Sequence, residues 1–371
     1  MLDPKQFIDA LRERGVDFFT GVPDSLLKAF CACVGTGSDR HVTAANEGAA
    51  VALAAGHYLA SGRPGLVYMQ NSGEGNAVNP LASLTDPAVY GIPVLLLIGW
   101  RGQPGVHDEP QHAKQGKITL PLLEVMGIPY AILSRDAALA TGQIDAALAS
   151  MHETRTPYAL VVEKGTFSYY PGPQEVEAAC MTREEAVQAV AAALGERDVI
   201  VSTTGMASRE LFEYREGAGQ GHARDFLCVG SMGHASQIAL GISLEQPGRR
   251  IWCLDGDGAC IMHLGSLATV SGSAGPNFVH VLLNNRAHDS VGGQPTAASH
   301  IDFPAVARAV GYPVVLQAES VESLRSVLGG LPASGPVFLE IKVLKGHRED
   351  LGRPTTTPGQ NMSDFMVFLK R

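Results

Sequence analysis

Two stretches in the second half of the chain place oxygen-bearing side chains where strands should end. Residues 251–254, Ile-Trp-Cys-Leu, run into Asp255-Gly256-Asp257-Gly258, and the apolar run 279–283 leads into Asn284-Asn285. A carboxylate and an amide oxygen offered from neighbouring strand ends suit a hard cation such as Mg²⁺, which takes oxygen ligands and is commonly shared with phosphates. Gly256 and Gly258 would let bare backbone approach those phosphates, and a helix starting near Ala259 would offer free N–H groups. Taken singly, Gly-Asp-Gly is an ordinary turn and Asn-Asn an ordinary strand end. An intervening helix pattern and strand at this spacing make the combination far more specific. Three other segments carry candidate chemistry. Residues 43–50, Thr-Ala-Ala-Asn-Glu-Gly-Ala-Ala, put Glu47 at the start of an alanine-rich helix, where an acid alone reads as a charge favoured by the helix dipole. Met232, within Gly230-Ser231-Met232-Gly233, reads alone as a core filler. Segment 99–116 is polar and turn-rich, with Arg101, His107, His112 and Lys114. It is either a solvated surface loop or a site for an anion.

These residues need strands to carry them. Residues 65–69, 94–98, 158–162, 199–202, 251–254, 278–283 and 337–343 are continuously apolar rather than alternating. That pattern belongs to strands covered by helices on both faces. Between them lie amphipathic stretches such as 6–14, with Phe7, Ile8 and Leu11 on one face. A capping box, Thr182-x-x-Glu185, opens a helix expected to run to Leu194. The fold class is α/β with parallel sheets. Pro171-Gly172-Pro173 marks a linker over 169–181, separating domain 1–168 from domain 182–371. Gly127-Ile128-Pro129 leads into an apolar strand, and Pro157-Tyr158 opens another; Gly311-Tyr312-Pro313 and Pro336-Val337 repeat that order in the second half, with Lys345-Gly346 just beyond. The repetition predicts two similar domains.

Composition bounds the rest. The chain has 371 residues, a net charge of −9 and 18% charged residues, against about 25% in an average protein. An acidic, charge-poor chain with 42 glycines is neither disordered nor built to bind nucleic acid through a basic surface. No run of about 18 apolar residues suggests a membrane span. The start, Met1-Leu2-Asp3-Pro4, lacks a signal sequence. None of the six cysteines forms a Cys-x-x-Cys pair, so reduced thiols in a cytoplasmic enzyme are expected. No Gly-x-Gly-x-x-Gly opens a helix after an early strand, which disfavours a dinucleotide-binding enzyme.

With Gly256-Asp257-Gly258 followed by Asn284-Asn285, the chain resembles the thiamine diphosphate enzymes, whose cofactor motif opens and closes on these residue types. The resemblance implies thiamine diphosphate and Mg²⁺ as cofactors, with Asp257, Asn285 and the Ala287 carbonyl on the metal. Gly256, Gly258 and Ala259 would lie along the diphosphate. Arg286 stands where such enzymes often carry a small or acidic residue. Glu47 would sit beside the pyrimidine ring and favour the imino tautomer that deprotonates the thiazolium carbon. The Gly230 carbonyl would accept from the exocyclic amine, and Met232 would wedge between the two rings. The fold implied is two similar parallel-sheet domains, pyrimidine-binding then diphosphate-binding, with no middle domain. Family sites lie between subunits, so a homo-oligomer is implied, with Glu47 meeting Asp257 of another chain.

Residues 21–28, Gly-Val-Pro-Asp-Ser-Leu-Leu-Lys, together with 99–116 and 288–296, are similar to segments of the phosphonopyruvate decarboxylases. These are thiamine diphosphate-dependent 2-oxo acid decarboxylases, and the resemblance covers essentially the whole chain. It implies a small-molecule substrate, 3-phosphonopyruvate, with phosphonoacetaldehyde and CO₂ as products. Ser25, Lys28, Arg101, His107 and Lys114 are the candidate phosphonate contacts. His107, His112 and His288 are the candidates for proton transfer. Sulfopyruvate decarboxylases share the first and third segments and stand as the alternative. A non-catalytic cofactor-binding subunit is disfavoured by the presence of Glu47, Asp257 and Asn285.

Overall fold

The computed structural model describes residues 1–36, 40–171 and 181–371. Most of the expected linker, with Gly172, Pro173 and Cys180, lies outside the described residues. The chain divides into two compact units, Met1–Gln174 with Val291–Gln294, and Glu175–Ser290 with Pro295–Arg371.

The first unit is built on six parallel strands: β1 (Phe18–Gly21), β2 (Arg40–Thr43), β3 (Leu66–Gln70), β4 (Leu95–Gly99), β5 (Tyr130–Ile132) and β6 (Tyr158–Val162). Their order across the sheet is β2-β1-β3-β4-β6-β5. Successive β4 residues feed opposite cores: Leu95 and Leu97 join one apolar cluster, Leu96 and Ile98 the other. That is why the run is continuously apolar, since each face of the sheet is covered. Helix Pro4–Glu13 buries Phe7, Ile8 and Leu11, and the Asp3 side chain caps it by accepting from the Lys5 and Gln6 N–H groups.

The second unit repeats the plan with β7 (Val199–Ser202), β8 (Asp225–Leu227), β9 (Ile251–Gly256) and β10 (Phe278–Asn284). A short ribbon follows, β11 (Ala287–His288) with β12 (Gln294–Pro295), then β13 (Val314–Ala318) and β14 (Val337–Lys342). The six main strands run β8-β7-β9-β10-β14-β13, the same sequence of first-to-sixth positions as in the first sheet. The repeated order of elements read from the sequence is thus a repeated topology. On β9, Trp252 and Leu254 face one core while Ile251 and Cys253 face the other. The capping box at Thr182 and Glu185 forms, although its helix ends at Ala192, short of Leu194.

The seven apolar runs appear as β3, β4, β6, β7, β9, β10 and β14, with ends shifted by at most two residues. No helix among the described residues is long and apolar enough to cross a membrane. The five described cysteines are free and buried.

Candidate active site

In the second unit, β9 and β10 pair in parallel with Gly256 opposite Leu283. Asp257 and Asn285 therefore leave the sheet at the same level, at the carboxyl edge where open α/β sheets bind ligands. Helix Asp257–Met262 starts at the aspartate itself, two residues earlier than the sequence suggested. The two acids of the Asp-Gly-Asp run have different tasks. Asp255 is buried and bonded to His280 Nε2 at 3.2 Å, whose Nδ1 meets the Tyr312 hydroxyl at 3.1 Å. Asp257 is only 2% exposed and has no basic partner among the described residues. Its Oδ2 accepts from the Thr296 hydroxyl, and backbone N–H groups including those of Gly258 and Asn285 lie against the carboxylate. Burial outweighs these donors and pushes its pKa up to about 7.

Asn285 has its amide fully oriented. Its Oδ1 accepts from the Ala287 N–H at 3.0 Å, and its Nδ2 donates to Asp289 Oδ2 at 2.6 Å. Arg286 takes a left-handed φ of 58°, forming the turn that brings Ala287 back beside Asn285. Gly258 has a packing reason to be glycine: an added Cβ would lie 2.9 Å from His288 Cε1. His288 thus belongs with the Asp257 cluster, and burial lowers its pKa to about 4, leaving the ring neutral at physiological pH. Before helix Ala235–Glu245, Gly230 and Ser231 are both left-handed, at φ 76° and 48°. The Gly230 N–H donates to Thr204 Oγ1, and Met232 is half-buried.

In the first unit, Glu47 opens helix Glu47–Ser61, but it does not cap it. The cap is Asn46, whose Oδ1 accepts from the Ala49 N–H at 2.9 Å. The Glu47 carboxylate, on a residue 5% exposed, accepts instead from Asn76 Nδ2 at 2.8 Å. A Cβ at Gly73 would lie 2.4 Å from Glu47 Oε1, so only glycine leaves room for the carboxylate there. No ion pair to Glu47 occurs among the described residues, a costly position for a buried acid unless a ligand uses it.

Of the substrate candidates, Ser25 and Arg101 are brought together. Arg101 Nη1 donates to Ser25 Oγ at 2.7 Å, while Nε and Nη2 fork onto the Asp108 carboxylate. Asp108 also accepts from the Gly102 N–H, closing the loop on itself. Asn71 clamps the Arg101 backbone from both sides, accepting its N–H and donating to its carbonyl. Asp24, fully buried, fixes the turn that carries Ser25 by accepting from the Leu26 N–H and from Gln70 Nε2. His112 is buried nearby with Nδ1 unpartnered, and burial lowers its pKa to about 4. Lys28, His107 and Lys114 are exposed and do not join the Ser25–Arg101 contact.

Sequence reasoning missed Asn76 and gave Asp108 and Asp289 no role within the segments that contain them, because each acts by a side-chain pairing that no local pattern announces. Thr296 stood within a quoted segment without a role. Glu74 went unnoticed altogether. It is 4% exposed, lies against the Thr119 hydroxyl with no well-formed hydrogen bond to either carboxylate oxygen among the described residues, and burial raises its pKa to about 8.

Comparison with known proteins agrees with this layout. Residues 4–121 match the thiamine pyrophosphate enzyme N-terminal TPP binding domain, and residues 203–341 match the C-terminal TPP binding domain. The chain is 34% identical to a phosphonopyruvate decarboxylase of Streptomyces hygroscopicus, over 99% of this chain and 94% of that protein. It is 35% identical to a phosphonopyruvate decarboxylase of Streptomyces viridochromogenes, over 100% of this chain and 95% of that protein. A sulfopyruvate decarboxylase of Methanosarcina acetivorans is 25% identical over 86% of this chain and 85% of its own length. The chain belongs to the thiamine pyrophosphate enzymes, in the family of the phosphonopyruvate decarboxylases.

Proposed function

We propose that this chain is a thiamine diphosphate- and Mg²⁺-dependent carboxy-lyase that converts 3-phosphonopyruvate to phosphonoacetaldehyde and CO₂. It would act in the cytoplasm, in phosphonate biosynthesis, as a homo-oligomer whose sites lie between subunits. The observation that carries this reading is the near-complete overlap, at 34% and 35% identity, with two relatives of that name.

The residues present fit the cofactor. Asp257 is a buried carboxylate lacking a cationic partner among the described residues, beside an amide oxygen, in an all-oxygen donor set suited to Mg²⁺. An added Cβ at Gly256 meets nothing nearer than Thr203 Cγ2 at 4.0 Å, which leaves its backbone open to a diphosphate. Asp257, Asn285 and the Ala287 carbonyl would hold the metal, with Gly256, Gly258 and Ala259 along the diphosphate and Gly230 and Met232 against the rings. When bound, the thiazolium supplies the electron sink for the pair left as the carboxylate departs. Glu47 would hold the proton at the pyrimidine ring, its carboxylate kept in place by Asn76.

Substrate binding then falls to the first unit's loops. Ser25 Oγ and the Arg101 guanidinium present a joint hydroxyl-and-cation surface to a phosphonate. Asp108 already engages two of the guanidinium nitrogens, so it fixes the direction of Arg101 while tempering its charge. Lys28 and Lys114 would add exposed positive charge, and His107 a further donor. His112 and His288, held neutral by burial, are suited to exchanging a proton but not to supplying standing positive charge. Departure of neutral CO₂ and protonation of the carbon it leaves together remove one negative charge from a crowded anionic site.

The Methanosarcina relative gives a second reading, the same chemistry on sulfopyruvate. Purified protein with thiamine diphosphate and Mg²⁺ should release CO₂ from 3-phosphonopyruvate with a kcat/KM about tenfold or more above that for sulfopyruvate. Faster release of sulfoacetaldehyde would overturn the first reading.

A further inference from the structure

An amide can ligate a cation only through its oxygen, so a metal-binding asparagine must be kept from turning over. At Asn285 that constraint is visible. Asp289 is an acceptor only, and Asn285 Nδ2 donates to its Oδ2 at 2.6 Å. With the nitrogen committed to Asp289, the oxygen points the opposite way, where it accepts from the Ala287 N–H. Asp289 is itself gripped. Its Oδ2 accepts from Arg183 Nη1 at 2.6 Å and from the Gly346 N–H at 3.0 Å. Arg183 in turn forks onto Glu210 through Nε and Nη2 at 2.9 and 2.8 Å, and Nη2 also donates to the Gly346 carbonyl.

Stability alone gives little reason for this assembly. Arg183 is the first residue of helix Arg183–Ala192, where the helix dipole opposes a cation. It is 6% exposed and Glu210 is 2% exposed, so charges have been taken out of water for modest net return. The three side chains sum to one net negative charge immediately behind the metal-ligating amide. A neighbouring cation would be stabilised by that charge, and the amide would be held with its oxygen outward.

We propose that Asp289, anchored by Arg183 and Glu210, is a positioning residue that sets the orientation of Asn285 and thereby the affinity for the divalent cation. The inference rests on the reading of Asn285 as a metal ligand. Outer partners of this kind typically change metal affinity by about 10–100-fold.

Mn²⁺ binding to the full-length protein with thiamine diphosphate, followed by electron paramagnetic resonance, tests it, with thermal unfolding as the check on folding. Asp289→Ala removes the acceptor that holds the Asn285 amide and lets it turn over, and should raise the Mn²⁺ Kd by about 10–100-fold. Turnover at saturating metal should largely return, with the KM for 3-phosphonopyruvate unchanged. Asp289→Leu is of similar shape and equally without an acceptor; it should raise the Mn²⁺ Kd over the same range, and it carries the test if Asp289→Ala does not fold. A folded Asp289→Ala or Asp289→Leu protein with an Mn²⁺ Kd within about twofold of the unaltered protein would overturn the inference while leaving the metal site standing. If the unaltered protein bound no Mn²⁺ with the cofactor present, the reading of the site and this inference would fall together.

Discussion

The two sheets share one strand order, yet their carboxyl edges treat a buried acid in different ways. Glu47, in the first unit, rests against one neutral amide. Asp257, in the second, rests against a hydroxyl and backbone N–H groups. Neither has a cationic side chain beside it among the described residues. Some other buried acids are paired with arginine instead, Asp225 with Arg215 and Glu210 with Arg183. The contrast separates acids that serve the fold from acids left open to a ligand. The strand order is common to both sheets, and the residues that follow each strand decide the chemistry.

Removing the open acids should hurt most. Asp257→Ala should abolish tight Mg²⁺ and thiamine diphosphate binding, with turnover falling on the order of a thousandfold, measured by calorimetry and CO₂ release. Unchanged cofactor affinity would erase the distinction between the two kinds of acid. Glu47→Gln keeps the shape and the Asn76 contact but cannot hold a charge. Its turnover should drop by about 10²–10⁴-fold while cofactor affinity stays within a few fold, and surviving turnover would remove Glu47 from the chemistry.

Arg101 belongs to the first edge but is paired with Asp108, so its loss should act on substrate alone. Arg101→Lys forfeits the fork and should lower kcat/KM for 3-phosphonopyruvate by about tenfold or more, through KM, without affecting cofactor binding. An effect on cofactor affinity instead would place Arg101 on the wrong side of the comparison.

Glu74 leaves activity aside and offers the sharpest control, being a buried acid with no ion pair among the described residues and no assigned ligand. Its folded pKa is raised to about 8, above the ordinary carboxylate value, so the folded chain keeps the proton longer than the unfolded chain. Stability should therefore fall as pH rises from about 4.5 through 8, costing about 3 kcal/mol at pH 7. Glu74→Gln should flatten that slope and raise the unfolding temperature at pH 8. A variant with the slope intact would show that Glu74 finds a partner.

Much of the sheet was legible because interior strands bury both faces and read as unbroken apolar runs. The strands missed were β1, β2 and β8, with the short ribbon of β11 and β12. Of these, β2 and β8 lie at sheet edges, where one flank is unpaired and the strand is short or half-exposed, as in Arg40-His41-Val42-Thr43. Asp257, Asn285 and Glu47 were singled out from contiguous segments, and the structure buries all three. Their partners were not singled out: Asn76 lies 29 residues from Glu47, and Thr296 lies 39 from Asp257. Arg101 was read as a candidate phosphonate contact, and nothing in the loop's composition reveals that Asp108 would fold back onto it.

The central proposal is that Glu47 of one protomer and Asp257 of another serve a single cofactor. Co-expressing Glu47→Gln and Asp257→Ala chains under separate tags, and purifying by both tags in turn, isolates the mixed oligomers. In a mixed dimer one of the two sites regains both acids, so the hybrid should show roughly half the activity of the unaltered enzyme. A purified hybrid no more active than either variant alone would contradict the account.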